Sequence, residues 1–167
     1  MTRRLPYILL ALAVILLDLW TKHLVLQNFM LHESREVIAG FFNLVYVQNT
    51  GAAFGLGARA ASPLVPLFLN IGAIIVFFIV VVYSLRTAIT DRLLQTGLHL
   101  ILGGAVGNLI DRFRFGWVVD FLDVYVTIGG REHHWPAFNV ADSAISIGIA
   151  LLFLDMLRKP ASAAEAA

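Results

Sequence analysis

The chain has 167 residues, 59% of them hydrophobic and only 14% charged, with a mean hydropathy of +0.83 and a net charge of +1. A soluble domain runs nearer half apolar and a quarter charged, so the excess apolar surface calls for lipid as its solvent. The near-zero charge gives no electrostatic case for nucleic acid. The absence of cysteine rules out disulfides, thiol nucleophiles and thiolate metal ligands.

The first apolar run, 5–26, follows Arg3 and Arg4. It lacks a small-residue cleavage site, and Asp18 and Lys22 interrupt its far end, so it reads as a retained span and not a secretory leader. The segment 27–63 follows, and within it 41–47 (FFNLVYV) has the β-branched and aromatic composition of a strand. The second span, 64–85, carries no charge and is about 33 Å long as a helix. The third, 93–112, holds Gly97, Gly103, Gly104 and Gly107, residues that let helices approach closely in lipid. The segment 113–138 contains a second strand-like run, 117–128 (WVVDFLDVYVTI), and the fourth span covers 139–157. The alanine-rich tail 160–167 reads as disordered. The chain is thus expected to be one polytopic membrane domain, 1–167, of the α-helical membrane class. It has four transmembrane helices and a small extracytoplasmic sheet built by the two outer segments. Trp20, Trp117 and Trp135 are expected near the interface.

Four spans put both termini on one side. Arg3, Arg4, Arg86, Arg92, Arg158 and Lys159 crowd three short segments there, which predicts cytoplasmic termini. With that orientation the polar residues collect at one depth, the outer boundary. Asp18 and Lys22 lie late in the first helix, and Asn108, Asp111 and Arg112 close the third. Asn139 and Asp142 open the fourth. Asp120, Asp123 and Asn49 come from the outer segments. Ionisable groups at membrane depth are costly and call for a reason. Two carboxylates held close in a low-dielectric site share a proton, and such a pair can activate water and protonate a leaving amine without a cofactor. Asp120 and Asp142 are candidates.

Each residue also has a plainer reading. Asp18 and Lys22 have the spacing of an intrahelical ion pair, and Asp111 and Arg112 that of interfacial charges. Asn108 could bond between helices, and Asn139 could cap the fourth helix with Asp142 in its first turn. Strand alternation puts Asp120 and Asp123 on opposite faces, so that one faces solvent; spacing does not say which. His99 reads as a packed or helix-bonded residue, and the adjacent His133 and His134 beside Glu132 are a weak metal motif. Ser143 lacks a base at its depth. A transporter reading would need polar residues at the midplane; a metal hydrolase would use Asp120, Asp123 and Asp142 on a cation; a scaffold would tolerate their loss.

Five segments carry a specific resemblance: DLWTK (18–22), NTGAAFG (49–55), GGAVGNLIDR (103–112), VVDFLDVY (118–125) and FNVADSAI (138–145). In that order and spacing they resemble lipoprotein signal peptidase, also called signal peptidase II, the bacterial aspartyl peptidase family that processes prolipoproteins. The resemblance implies that Asp120 and Asp142 are catalytic. It gives supporting or substrate-binding roles to Asp18, Lys22, Asn49, Gly51, Asn108, Arg112 and Asn139. It further implies no metal and no cofactor, a diacylglyceryl-modified prolipoprotein as substrate, and a cut just before the lipidated cysteine. The implied location is the outer face of the cytoplasmic membrane, among membrane lipids, with globomycin-type cyclic peptides as inhibitors and no oligomer required. The glycines near Asn49 read as allowing a tight turn and close packing, and they leave room for a mobile flap.

Overall fold

The computed structural model describes residues 4–51 and 64–158. The expectations for the tail 160–167 and for a flap in the NTGAAFG segment beyond Gly51 fall outside the described residues. Four helices and four strands follow in the order α1 (Leu5–Asn28), β1 (Ser34–Ile38), β2 (Phe42–Asn49), α2 (Leu64–Arg86), α3 (Arg92–Phe115), β3 (Val118–Ile128), β4 (Arg131–His134) and α4 (Val140–Arg158). The expected spans match these helices to within a few residues. Helices α1, α3 and α4 are each long and apolar enough to cross a membrane, and Asn70–Arg86 of α2 adds a further apolar stretch.

The apolar residues are distributed as lipid-facing helices require. Leu16 of α1, Phe78 of α2 and Phe153 of α4 are at least 60% exposed, while α3 is largely enclosed by its neighbours. Glycine sets how closely α3 packs. A Cβ on Gly148 would lie 2.7 Å from the Gly97 carbonyl, and one on Gly103 would lie 2.8 Å from the Ala11 carbonyl. Side chains there would push α4 and α1 off α3, which is the physical use of small residues in lipid-embedded interfaces.

The strands form one antiparallel sheet in the order β1-β2-β3-β4. Both sequence-predicted strands are present as β2 and β3; the flanking β1 and β4 were not anticipated. Their residues are exposed and largely polar (SREVI, REHH), so neither carries the alternation that marks a half-buried strand. The sheet packs on the end of the bundle where α1 and α3 finish and α4 begins. Val25 of α1 joins Tyr46, Val119 and Phe121 in a buried apolar cluster, with Leu26, Phe29 and Val140 around it. The pairing of β2 with β3 shifts register between Leu44 and Val47, so β2 carries an extra residue opposite the segment that bears Asp120.

Candidate active site

The site begins with a buried cation. Lys22 is 2% exposed and uses all three of its ammonium donors. Its Nζ lies 2.7 Å from Asp18 Oδ2 and 3.0 Å from Asp111 Oδ2, and it donates to Asn108 Oδ1 at 3.0 Å. Each carboxylate then reaches backbone. Asp18 Oδ1 accepts from the Ala141 N–H at 2.9 Å, and Asp111 Oδ2 from the Val119 N–H at 3.1 Å. The residues next along the chain are Asp142 and Asp120. One lysine therefore anchors the peptide units just before both candidate aspartates. Gly107 makes room for this, since a Cβ there would lie 2.5 Å from Asp18 Oδ2.

Asn139 links the aspartates themselves. Its backbone carbonyl accepts from Ser143 N–H at 3.1 Å and its Oδ1 from Asp142 N–H at 2.9 Å, so it caps α4 as its position suggests. Capping turns the side-chain Nδ2 away from the helix, and it donates to Asp120 Oδ1 at 2.7 Å and to Asn108 Oδ1 at 3.2 Å. Asn108 Nδ2 donates to Asp142 Oδ1 at 2.8 Å. Asn49 Nδ2 donates to Asp120 Oδ2 at 2.8 Å, while Asn49 Oδ1 accepts from Gly51 N–H at 2.9 Å. Arg112 donates to the Gly51 carbonyl at 3.3 Å and interacts electrostatically with Asp142, Asp120 and Asp111. The nine residues named through the resemblance thus form one connected network at one end of the bundle. At Asn139 the cap of α4 and the contact with Asp120 are made by one side chain.

Asp120 is 1% exposed. Burial first, and then the nearby Asp142 carboxylate, push its pKa up to about 7, against the opposing hydrogen bonds from Asn49 and Asn139. Asp142 is half-buried and lines a cavity of about 300 Å³ with Trp135, Phe138, Ser143, Ser146 and Ile147, so its side of the network opens onto a largely apolar recess.

One expectation needs correction. Asp123 does not face solvent: it is 7% exposed, accepts from Asn43 Nδ2 at 3.0 Å and lies 2.9 Å from His134 Nδ1. Its partners differ from those of Asp120, as alternation requires, but the Asn43 side chain from β2 and the His134 side chain from β4 lie against it on the second face. Asp111, left open between an interfacial and a functional charge, belongs to the network through Lys22 and Val119. Its spacing of three from Asn108, on one face of α3, was the available signal. His99 is a helix-bonded residue whose Nδ1 lies 2.8 Å from the Gln95 carbonyl oxygen, 5.5 Å from the Tyr7 ring by centroids. Among the described residues, no three His, Asp or Glu side chains gather as a metal-ligand group.

The family model for signal peptidase (SPase) II matches residues 10–158, a stretch that includes every residue of this network. The chain belongs to the signal peptidase II family. It is 47% identical over 153 residues to the lipoprotein signal peptidase of Syntrophus aciditrophicus, covering 92% of each chain. It is 53% identical over 143 residues to that of Desulforapulum autotrophicum, covering 84% of this chain and 85% of the relative. In three dimensions it resembles a bacterial membrane enzyme solved in meso at 2.3 Å, with a TM-score of 0.80, 32% identity, and coverage of 96% of this chain and 92% of that one. A second such enzyme, solved at 1.9 Å, gives a TM-score of 0.78 at 33% identity, covering 92% of this chain and 94% of the other. Membership of the signal peptidase II family makes the chain a peptidase and a multi-pass membrane protein.

Proposed function

We propose that this peptidase is an aspartyl endopeptidase that removes signal peptides from diacylglyceryl-modified prolipoproteins, cutting just before the lipidated cysteine. Asp120 and Asp142 are its catalytic pair. The observation that carries the reading is the bridge made by Asn139: one side chain donates to Asp120 and accepts from the backbone of Asp142, inside a network of buried amides and one lysine. Such an arrangement holds two carboxylates in place without neutralising either by a direct cation contact. It suits a pair that activates water, polarises the scissile carbonyl and protonates the leaving amine.

The network sits at the end of the bundle from which the sheet extends. With cytoplasmic termini, that end is the outer face of the cytoplasmic membrane, where the apolar helix of a signal peptide leaves the lipid. The substrate then needs only lateral diffusion to arrive, its acyl chains remaining in the bilayer and fixing the register of the cysteine. The apolar recess beside Asp142 supports a peptide seated between the sheet and α4. Asp18, Lys22, Asn49, Gly51, Asn108, Arg112 and Asn139 support the pair, and a globomycin-type cyclic peptide competes for the same recess.

The test is cleavage of a diacylglyceryl-modified prolipoprotein by purified protein in detergent, for wild type, Asp120→Asn and Asp142→Asn, each with and without EDTA. Both variants are expected to be folded and inactive, and EDTA to leave the wild type unchanged. Activity in either variant removes the pair from the mechanism, and loss of wild-type activity in EDTA replaces it with a metal-dependent hydrolase.

A further inference from the structure

The bundle has a second polar level, at the end away from the aspartates. Tyr7 to Lys22 along α1 and Arg92 to Asn108 along α3 each span about 22–24 Å of helix. The hydrocarbon of a bilayer is about 30 Å thick, so with one level at one boundary the other approaches the opposite headgroups. Most charges at this second level are committed. Arg4 Nη1 donates to the Ser84 carbonyl at 2.8 Å and Nη2 to the Leu85 carbonyl at 3.2 Å, closing the end of α2. The Asp91 side chain accepts from the Leu94 N–H at 3.4 Å and caps α3. Asp155 is buried on α4. Arg92 is different: it is exposed, and among the described residues its guanidinium makes no hydrogen bond or ion pair.

Arg92 lines a cavity of about 550 Å³ with Pro6, Tyr7, Ile89, Thr90 and Thr96, between the start of α1 and the turn that joins α2 to α3. The Tyr7 hydroxyl donates to the Ile89 carbonyl at 3.4 Å and ties the two walls together. The volume is that of a small-molecule site. Pro6, Ile89 and the Tyr7 ring supply apolar wall, while Thr90 and Thr96 add hydroxyl donors near the guanidinium. A lining with a cation, two hydroxyls and no carboxylate calls for an anion. A planar guanidinium matches a phosphate through two parallel N–H groups.

We infer that this cavity binds the phosphate-bearing headgroup of an anionic phospholipid from the leaflet opposite the aspartates, with Arg92 on the phosphate and Thr90 and Thr96 on its remaining oxygens. Basic pockets beside membrane-spanning helices hold acidic headgroups in this way. The apolar wall and the position at the bilayer edge favour a phosphate that carries acyl chains over a free one. The net negative charge matters because a choline headgroup brings its own cation towards Arg92. The bound lipid bridges the start of α1 and the α2–α3 turn. The site depends on the helices crossing a membrane and not on the two-aspartate mechanism.

The experiment is native mass spectrometry of the full chain released from detergent, with phosphatidylglycerol, phosphatidylcholine or inorganic phosphate added. Wild type is compared with Arg92→Gln, Thr90→Glu and Arg86→Gln. Wild type should retain one phosphatidylglycerol in preference to phosphatidylcholine. Arg92→Gln should bind it about fivefold more weakly, the worth of one cation at a lipid surface. Thr90→Glu should lose more, because it sets an anion in the cavity; Thr90 is an exposed turn residue, so this variant decides even where Arg92→Gln fails to fold. Arg86 stands at the same end but lines a separate groove with Phe78 and Tyr83, so Arg86→Gln should bind as wild type does. Equal losses in Arg86→Gln and Arg92→Gln would mean diffuse attraction to a basic end and overturn the site, as would equal retention of the two lipids. Displacement of the lipid by millimolar inorganic phosphate would make the cavity a site for a soluble anion and overturn the lipid assignment.

Discussion

Asn139 Nδ2 lies 2.7 Å from Asp120 Oδ1, the shortest of the amide contacts that converge on the two aspartates. Because the same side chain caps α4, its removal should act twice. Asn139→Ala is expected to lower kcat by about 100-fold, since the pair loses its shared support and a displacement near 1 Å is enough for such a loss. It should also cost about 1 kcal/mol of stability from the missing cap. Steady-state cleavage and thermal unfolding in detergent measure the two effects; an unchanged kcat would show that the bridge has no part in catalysis.

Lys22→Met should be far more damaging to folding than its size suggests. It leaves Asp18 and Asp111 buried without their cation, and breaking a buried ion pair from one side costs about 3–5 kcal/mol. Neutralising the partners as well, in Lys22→Met with Asp18→Asn and Asp111→Asn, should recover much of that stability but not the activity. Denaturation midpoints of the single and triple variants read the difference directly. Equal midpoints would mean that the triad contributes little.

Gly107→Ala tests the packing at the same place. The added methyl would fall 2.5 Å from Asp18 Oδ2 and 3.1 Å from its Cγ, so the Asp18 carboxylate must shift, while the 3.4 Å to the Ala141 Cβ is ordinary contact. Overpacking of this kind costs about 1–3 kcal/mol. Activity should fall together with stability, because Asp18 holds the peptide unit before Asp142. Gly72, which has open space around its would-be Cβ, is the control position.

The β3–β4 hairpin has its own pH response. His134 stacks on Tyr125 at 5.0 Å and touches Asp123 and Glu132. The hydrogen bond to Asp123 raises its pKa above the ordinary 6.5. A raised histidine stabilises the fold fully below its unfolded value, and that contribution is lost as pH rises through the folded value. Wild type should therefore exceed His134→Ala in unfolding temperature at pH about 5, with the gap narrowing on the alkaline side. The pair is partly exposed and the gap is small, about 0.5 kcal/mol. A gap that widens with pH would contradict the assignment.

The spans and the convergence of their polar ends were legible in the sequence because both follow from local facts. Apolar runs of bilayer length make the helices, and alternating chain direction brings 18–22, 108–112 and 139–142 to one level. The two central strands were legible because FNLVYV and VVDFLDVY are β-branched and aromatic. What was not legible depended on distant partners. The burial of Asp123 needs Asn43 from across the sheet and His134 from β4, in a register that includes a bulge. Asp111 sits beside Arg112 at a helix end, where charges are ordinary, and Lys22 on another helix and the Val119 N–H of β3 distinguish it. The edge strands β1 and β4 are exposed polar ribbons whose side-chain anchors, such as Tyr125 OH to Glu36 and His134 on Asp123, also come from distant partners.

The fan of bonds from Lys22 also works as a calliper. One arm runs through Asp111 to the Val119 amide, the other through Asp18 to the Ala141 amide, and each jaw stops one residue short of an aspartate. The gap between the two carboxyl groups is therefore gauged from behind, by a part that the substrate need never touch. Bending or tilting of the lipid-facing helix surfaces can be absorbed elsewhere in the bundle without resetting that gap. An enzyme working in bilayers of varying thickness and tension would keep the same opening between its jaws.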